Sequence, residues 1–334
     1  MIGSGPLACG VSDGLFICSN PTLWSHGVML GNFLGLTSSA VFAMVSIIAR
    51  RGVLRASSTY FATLSIFTSP FFFFLVTLMT GDLLGMGQIS LKAYIFWSLS
   101  GIVHLALGRT WAYRAYQLIG SNRSMVVLSL NPIVSLILAV IILKESLTWV
   151  MVPGILLLLL GPVLIASREQ TFTVQASSVK PQGKDVDRHT LYKGMFFGAG
   201  AALFWGSSAI FIKLGLSSGG SPLAGSFIAH VAASLAILPS SLLNKQTRME
   251  LLQKDSASLR LAILSGLTSC TAQTLRYLAF SYGSVIIVSL MQRTLPLWVL
   301  LFAFIFNREY ESFSRWVLIG NALIVVGTLW LFFT

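Results

Sequence analysis

Residues 110–145 read TWAYRAYQLIGSNRSMVVLSLNPIVSLILAVIILKE, and residues 274–309 read TLRYLAFSYGSVIIVSLMQRTLPLWVLLFAFIFNRE. The second stretch begins 164 positions after the first and has the same length. Identities that persist over two such stretches without a gap indicate an internal repeat. The matched pairs are Thr110 and Thr274, Tyr113 and Tyr277, Ala115 and Ala279, Pro132 and Pro296, and Glu145 and Glu309.

Small residues extend the repeat in both directions. On the first helix of each half a spacing of four places them on one helix face, where two backbones can approach closely, so we interpret that set as packing positions. An offset of 167 pairs Gly27, Gly31 and Gly35 with Gly194, Gly198 and Ala202, and a slightly shorter offset pairs Gly154 and Gly161 with Gly320 and Gly327.

The composition indicates that both copies lie in lipid. Hydrophobic residues make up 55% of the chain and charged residues only 10%, whereas a soluble domain carries roughly 25% charged residues. The mean hydropathy is +0.82. Apolar runs of roughly 20 residues, the length that crosses a bilayer, recur along the chain. A soluble protein of ordinary composition is therefore excluded.

Ten apolar runs are long enough to be transmembrane helices. They are 27–48, 59–79, 93–116, 124–143, 147–165, 192–216, 222–243, 261–280, 285–306 and 316–333. Because each half holds five spans, the second half enters the membrane from the opposite side. The sequence therefore predicts an all-α integral membrane protein with ten transmembrane helices, arranged as two inverted five-helix repeats.

The one long hydrophilic stretch divides five spans from five. We expect an amino-terminal arm at 1–26, a first repeat at 27–166, a hydrophilic linker at 167–191 and a second repeat at 192–334.

The formal net charge of +12 does not indicate a nucleic-acid partner, because Lys and Arg lie between the apolar runs and form no basic helix. Most of them fall in loops on one side of the membrane, whereas the other side holds Lys92 and Lys144. Positively charged loops stay in the cytoplasm. We therefore expect a multi-pass protein of the cell membrane with both termini outside the cytoplasm.

Two motifs carry a resemblance to a known family. Phe204-Trp205-Gly206-Ser207-Ser208 is followed by Lys213, and in each half a proline precedes an apolar run that ends in Lys-Glu or Arg-Glu. These features resemble the EamA-type members of the drug/metabolite transporter superfamily over roughly residues 27–333. The first helix departs from the pattern, with Thr37-Ser38-Ser39-Ala40 where the Trp-Gly motif would fall.

The resemblance implies a transporter that is not an enzyme and that exports or exchanges small metabolites through a central cavity without a cofactor. The expected partners are a small-molecule substrate and the lipid bilayer, with a homodimer left open. Cys9, Cys18 and Cys270 lack metal-ligand spacing, so we expect no metal site.

Charged residues inside the spans are basic, whereas all ten acidic residues lie in loops, arms or helix ends. Arg293 is near the middle of its span and Arg109 is about two thirds along its own. Lys213 and Arg276 lie nearer helix ends, where long side chains can reach the membrane surface. A charge inside a membrane costs at least ~2.5 kcal/mol and usually marks a pathway or a pairing.

Arg293 is the strongest candidate for substrate binding. Ser289, Gln292, Arg293 and Pro296 fall on one helix face. Pro296 has no N–H, so the carbonyl of Gln292 loses its helical partner and is free for a ligand or water. Pro132 does the same in the first half, and we expect a helix kink at both prolines.

Further candidates lie on neighbouring spans and could line the same cavity. Each of them alone is more often a packing or hydrogen-bonding position, worth about 0.6 kcal/mol. His104 and His230 are also candidates for proton carriers, with a satisfied hydrogen bond as the alternative. The candidates are Asn32, His104, Arg109, Trp111, Trp205, Ser208 and Gln273.

Lys144-Glu145 and Arg308-Glu309 stand at equivalent turns of the two halves. We expect each pair to interact locally at its helix end, with a gate as the alternative.

These residues favour a secondary transporter over other classes of membrane protein. A cavity with arginine and no carboxylate should prefer an anionic or zwitterionic metabolite, such as an amino acid or an organic acid. A flippase for a lipid-linked head group is the alternative, since it would share the fold. An integral membrane enzyme acting on lipids is less consistent with four dispersed histidines.

Overall fold

The computed structural model describes residues 9–12, 15–18, 21–53, 58–128, 130–168, 188–245, 248–249, 256–306 and 315–333. The expected linker lies mainly outside these residues, as does the turn that contains Arg308 and Glu309. The amino-terminal arm contains a short antiparallel hairpin of Cys9–Ser12 and Leu15–Cys18. The prediction of an all-α chain did not include this hairpin.

Most of the rest of the described chain is helical. Short helical segments lie at Asp82–Gly85, Met86–Gln88 and Trp149–Met151. The longer helices are α1 (Pro21–Val53), α2 (Ser58–Thr80), α3 (Leu91–Gly101), α4 (Arg109–Leu128), α5 (Asn131–Ile142), α6 (Val152–Arg168), α7 (Arg188–Ser217), α8 (Pro222–Leu243), α9 (Ser256–Tyr282), α10 (Val285–Met291), α11 (Leu295–Phe306) and α12 (Arg315–Phe332). A π-helix, Ile102–Gly108, joins α3 to α4, and a 3₁₀ turn, Gln292–Thr294, joins α10 to α11.

Seven of the described helical segments are long and apolar enough to cross a membrane. Asn131–Ile142 and Trp149–Ile165 are apolar but shorter. Helix α9 occupies the place predicted for the eighth span and contains Arg260 and Arg276. The chain is therefore a multi-pass helical bundle, and the exact count of ten spans stays a prediction.

The reversal between the third and fourth predicted spans falls inside α4. A straight helix would separate Ala115 and Val127 by about 18 Å at 1.5 Å per residue. A Cβ on Gly198 would nevertheless lie 3.8 Å from Ala115 and 3.2 Å from Val127. The chain must therefore turn back between these two residues, close to the boundary that the apolar runs predicted.

Helix contacts between the halves follow the symmetry of the repeat. The first helix of each half packs against the third helix of the other, since α1 contacts α9 and α7 contacts α4. The second helices, α2 and α8, contact each other, as do the fifth helices, α6 and α12. A two-fold axis that exchanges the halves would produce this pattern.

Glycines of the repeat make the contact between α6 and α12 close. A Cβ on Gly161 would lie 2.6 Å from the carbonyl oxygen of Gly320, and one on Gly327 would lie 2.9 Å from that of Gly154. The backbones touch where a larger side chain would separate them, in agreement with a packing role for these glycines.

Both predicted proline positions coincide with a break in a helix. Pro132 is in the first turn of α5, after α4 ends at Leu128. Pro296 is in the first turn of α11, after the 3₁₀ turn that ends at Thr294. Proline is favoured in a first helical turn because its missing N–H has no partner to lose there. Discontinuous helices at equivalent places in two repeats are a feature of transporter binding sites.

Candidate functional site

A hydrogen-bond network joins the π-helix to α7 and α9 in the middle of the bundle. The Nδ1 atom of His104 lies 3.0 Å from Oγ of Ser208. The Nε1 atom of Trp205 donates to the carbonyl oxygen of His104 at 3.1 Å. Short π-helices often occur at functional sites. The Trp-Gly-Ser-Ser motif thus faces the irregular turn that carries His104.

Arg276 completes this network from α9. Its Nη1 lies 3.2 Å from Nε2 of His104, and its Nη2 donates to Oγ of Ser208 at 3.2 Å. The guanidinium also lies 5.4 Å from the ring centre of Phe280. Only 4% of Arg276 is exposed, so the expectation that its side chain reaches the membrane surface was wrong.

Arg276 sets the direction of its own hydrogen bonds in the network. Its Nη1 lies 3.2 Å from Nε2 and 3.3 Å from Nδ1 of His104, and because arginine can only donate, the imidazole accepts. The Ser208 hydroxyl lies 2.8 Å from the carbonyl of Trp205, and its oxygen accepts from Nη2 of Arg276. His104 is neutral in this arrangement, and the positive charge resides on Arg276.

Three further cationic or titratable side chains surround the network. Arg109 directly follows the π-helix that carries His104. Arg293 follows Gln292, which Ser38 links to Ala272 on α9. Arg109 donates to Oγ of Ser65 at 3.4 Å. His230 is buried, and its Nδ1 lies 2.7 Å from the carbonyl oxygen of Ser226. Both halves therefore contribute basic side chains to one interior.

Described carboxylates lie away from this interior. The acidic residues whose side chains the structure describes are Asp82 and Glu145, and both lie at helix ends. No described carboxylate binds Arg109, Arg276 or Arg293. We call the three arginines with His104 and His230 the cation cluster.

Arg293 lies in the 3₁₀ turn and is half-buried. Its Nε is buried without a hydrogen-bond partner. The guanidinium makes no hydrogen bond to any residue that the structure describes. Of the three arginines in the cluster, Arg293 has the fewest described hydrogen-bond partners.

The carbonyl of Gln292 accepts hydrogen bonds from the backbone N–H of Leu295, within the 3₁₀ turn, and from Oγ of Ser39 at 3.2 Å. The expectation that Pro296 leaves this carbonyl free for a ligand was therefore wrong. The side-chain amide of Gln292 lies 3.4 Å from Oγ of Ser38, and Ser38 donates to the carbonyl of Ala272 at 2.9 Å. The two serines that replace the Trp-Gly motif in the first half thus connect α1 to the broken helix and to α9.

A narrow cavity adjoins Arg276. Its free space holds about one water molecule. Its polar lining residues are Ser100, His104, His230, Gln273, Arg276 and Tyr277. Gln273 is 3% exposed, and its Oε1 has no partner. Ser100 and Tyr277 bind each other at 2.8 Å through their hydroxyl groups.

The remaining predicted site residues are more scattered. Trp111 packs against α7 through Phe196, Phe197 and Phe204, with ring centres 5.0 to 5.5 Å apart. Asn32 is buried on α1 and its Oδ1 has no partner among the described residues. Ser289 is buried on α10. The structure places none of these three in the lining of the narrow cavity.

Sequence reasoning left Arg276 out of the binding residues although a signal was present. Gln273 and Arg276 are three positions apart and therefore share a helix face. Arg276 lies near the carboxyl end of the predicted span, which suggested a side chain at the membrane surface. The partners that bury it, His104 and Ser208, are 172 and 68 positions away in the sequence.

Comparisons with known proteins agree with this architecture. Among curated proteins, no sequence matches the chain. One solved structure, described only as a crystal structure of a protein, is similar in fold with a TM-score of 0.67 and 15% identity. The similarity covers 92% of this chain and 96% of the other.

The family comparison covers both halves. The model of the EamA-like transporter family matches residues 29–167 and 192–333, which correspond closely to the two repeats and leave out the linker. This chain belongs to the EamA-like transporter family.

Proposed function

We propose that the protein is a secondary transporter that exports or exchanges a small anionic or zwitterionic metabolite by alternating access. The observation that carries the proposal is the cation cluster, in which Arg276 lines the narrow cavity and no described carboxylate binds Arg109, Arg276 or Arg293. Membership of the EamA-like family supports the function of a transporter. The positive charge of the arginines supports an anionic or zwitterionic substrate.

Electrostatics favours an anion at this place. An isolated charge at the centre of a membrane helix costs at least ~2.5 kcal/mol, and neighbouring charges of the same sign add repulsion. A carboxylate or phosphate between Arg276 and Arg293 would relieve both costs. The planar guanidinium can also bind two oxygens of one anion, which a lysine cannot do.

The narrow cavity must widen before it can admit a metabolite, because its free space is about that of one water molecule. Alternating access provides such a change, since rocking of one repeat against the other opens a central site to each side in turn. The break between α4 and α5 and the 3₁₀ turn Gln292–Thr294 are the places where this motion would be accommodated.

The proposal is tested with purified protein in a thermal-shift screen against organic acids, amino acids and nucleotides. A ligand that binds only the folded state raises the melting temperature by mass action. We expect the stabilising compounds to carry a carboxylate or phosphate, and we expect their amides or neutral esters to lose the effect. Equal stabilisation by the acid and its amide would contradict the anion proposal.

Orientation is part of the same proposal, with both termini outside the cytoplasm. A cysteine at Ser218 should then react with an impermeant thiol reagent in intact cells, and a cysteine at Ser177 should not. The opposite labelling pattern would reverse the orientation and leave the repeat unaffected.

A further inference from the structure

We propose that Gln273 is a specificity-determining residue that pairs with a hydroxyl or amino group on the carbon next to the substrate's anionic group. This inference rests on the proposed function and adds a second recognition element to it. Its basis is the juxtaposition of an unpaired amide and an arginine on one wall of the narrow cavity.

The amide of Gln273 lacks any hydrogen bond within the described part of the chain. Only 3% of the residue is exposed, and its buried Oε1 has no hydrogen-bond partner. A buried amide without partners is destabilising, because it has lost its hydrogen bonds to water. Such a group is expected to pair with water or a ligand, and the cavity that it lines is the place where either can reach it.

Gln273 and Arg276 present two different chemistries side by side. They are three positions apart on α9, which places them on one helix face. The Nε of Arg276 is likewise buried without a partner. The pair therefore offers a cationic donor for an anion and a neutral amide that can either accept or donate a hydrogen bond.

The repeat shows that the amide marks a difference between the halves. Gln273 stands 164 positions after Arg109, at the offset that relates the two stretches. Where the first half has a guanidinium, the second half has an uncharged amide of similar length. The second half thus carries a neutral hydrogen-bonding group at the position where the first half carries a charge.

The matching ligand is a small 2-hydroxy or 2-amino carboxylate. Its carboxylate would bind at Arg276, and its neighbouring hydroxyl or amino group would bind at Gln273. A site built to hydrogen-bond such a group discriminates strongly against the analogue that lacks it, because the protein's buried polar group then stays unpaired.

The test compares butanoate, 2-hydroxybutanoate and 2-aminobutanoate as ligands of the purified protein, with Kd from the fluorescence of the protein's tryptophans. We expect one or both substituted acids to bind wild type at least tenfold more tightly than butanoate. Gln273→Leu should abolish this ratio, and Gln273→Asn should reduce it. Gln88→Leu is the control, since Gln88 is an exposed amide outside the lining of the narrow cavity.

The outcomes separate the two proposals. If all three acids bind equally and Arg276→Gln weakens them, the anion proposal stands and the role of Gln273 is wrong. If Gln273→Leu keeps the wild-type ratio, the assignment is also wrong. If none of the acids binds to folded wild type, both proposals are contradicted. Melting curves on each variant show that the protein is folded.

A separate set of contacts, at the turn between α9 and α10, supports a second inference. The carboxylate of Glu145 accepts hydrogen bonds from the backbone N–H groups of Val285 and Ile286, at 2.7 and 3.0 Å. Nζ of Lys213 donates to the carbonyl oxygens of Phe280 and Gly283, at 2.8 and 3.0 Å. The sequence position of Glu145 suggested a local pair with Lys144. The structure shows that its carboxylate binds these two N–H groups instead.

These charges hold the turn between α9 and α10 from both sides. Lys213 binds the carbonyl end of α9, and Glu145 binds the amide end of α10, so each complements the partial charge of its helix terminus. Glu145 belongs to the first half and the turn belongs to the second. The contact is thus a bond between the repeats, one to two helical turns from Arg276 along α9.

We infer that Glu145 and Lys213 form a clamp that keeps this end of the transport pathway closed. Ser100 is a suitable reporter, because it lines the narrow cavity and is only 2% exposed. In a protein whose three cysteines are replaced, Ser100→Cys should react slowly with a charged thiol reagent. Glu145→Ala and Lys213→Met should each raise that rate at least tenfold.

Lys144→Ala is the matched control, since Lys144 is exposed and makes no described hydrogen bond. It should leave the rate unchanged. A lower melting temperature in Glu145→Ala with an unchanged labelling rate would show that the contact is only a structural link, and would overturn the clamp.

Discussion

Arg276 and Arg293 carry the same charge in the same interior, but they differ in how many partners they have. Arg276 is held by His104 and Ser208 and lies against Phe280. Arg293 has no hydrogen-bond partner among the described residues, and its Nε is buried. A paired arginine contributes to the structure as well as to the site, whereas an unpaired one mainly offers its charge to a ligand.

This difference predicts that substitutions at the two positions will separate affinity from stability. Loss of Arg276 leaves partners without their donor, which lowers stability. Loss of Arg293 removes an expensive charge and leaves no partner behind. The following experiments measure both quantities on the same protein preparations, with the carboxylate that gives the largest thermal shift as ligand.

The largest effect is expected for Arg293→Gln. Binding of the carboxylate should weaken on the order of 100-fold, since hydrogen bonds to charged groups contribute roughly 1.5 to 3 kcal/mol each. The melting temperature should stay the same or rise, because a membrane charge is removed. Titration and thermal unfolding provide the measurements. Unchanged affinity would remove Arg293 from the site.

Arg276→Gln should affect both quantities. We expect a lower melting temperature, because the imidazole of His104 and the hydroxyl oxygen of Ser208 each lose the donor from Arg276. Affinity should fall on the order of tenfold or more, by the loss of one charge-assisted contact. If the variant binds the carboxylate with wild-type affinity and only its stability falls, Arg276 has a structural role and does not bind the substrate.

Arg293→Lys separates the effect of the planar guanidinium group on affinity from the effect of its positive charge. The ammonium keeps the positive charge but lacks the planar fork that binds two oxygens. We expect affinity about tenfold below wild type by the loss of one of two hydrogen bonds, with unchanged stability. Isothermal titration with the carboxylate and with a phosphate ester gives the measurement. Wild-type affinity in this variant would show that charge alone suffices.

The smallest effect is expected for Ser39→Ala, which removes one of the two donors to the carbonyl of Gln292. Stability should fall by about 1 kcal/mol, the net value of one hydrogen bond. Ser46→Ala is the control, because Ser46 is exposed and donates only within its own helix. Equal melting temperatures for Ser39→Ala and wild type would show that this bond does not hold the 3₁₀ turn.

Much of the architecture could be predicted from the order of residues alone. The repeat, the glycine ladders and the apolar runs are local or periodic features of the sequence, so they can be recognised without knowing how the helices pack. The match of the EamA-like family to residues 29–167 and 192–333 confirms the recognition of the family. The hairpin in the amino-terminal arm was not predicted, since its short strands show no long alternating pattern.

The site could be predicted only in part. The sequence showed which side chains share a helix face, as for Gln292 and Arg293, because that relation depends on 3.6 residues per turn. It could not show that Ser39 would bind the carbonyl of Gln292, because these residues belong to different halves. It also could not place Trp111 among three phenylalanines of α7.

The sequence by itself determined that this chain is a duplicated helical membrane protein with basic side chains and no carboxylate in its predicted spans. Hydrophobic length, repeat spacing and residue type are properties of the chain, and they hold in any packing. Only the tertiary structure decided that Arg276 is buried against His104 and that Glu145 binds the start of α10. Those contacts join residues 172 and 140 positions apart, and they exist because the helices of the two halves pack together.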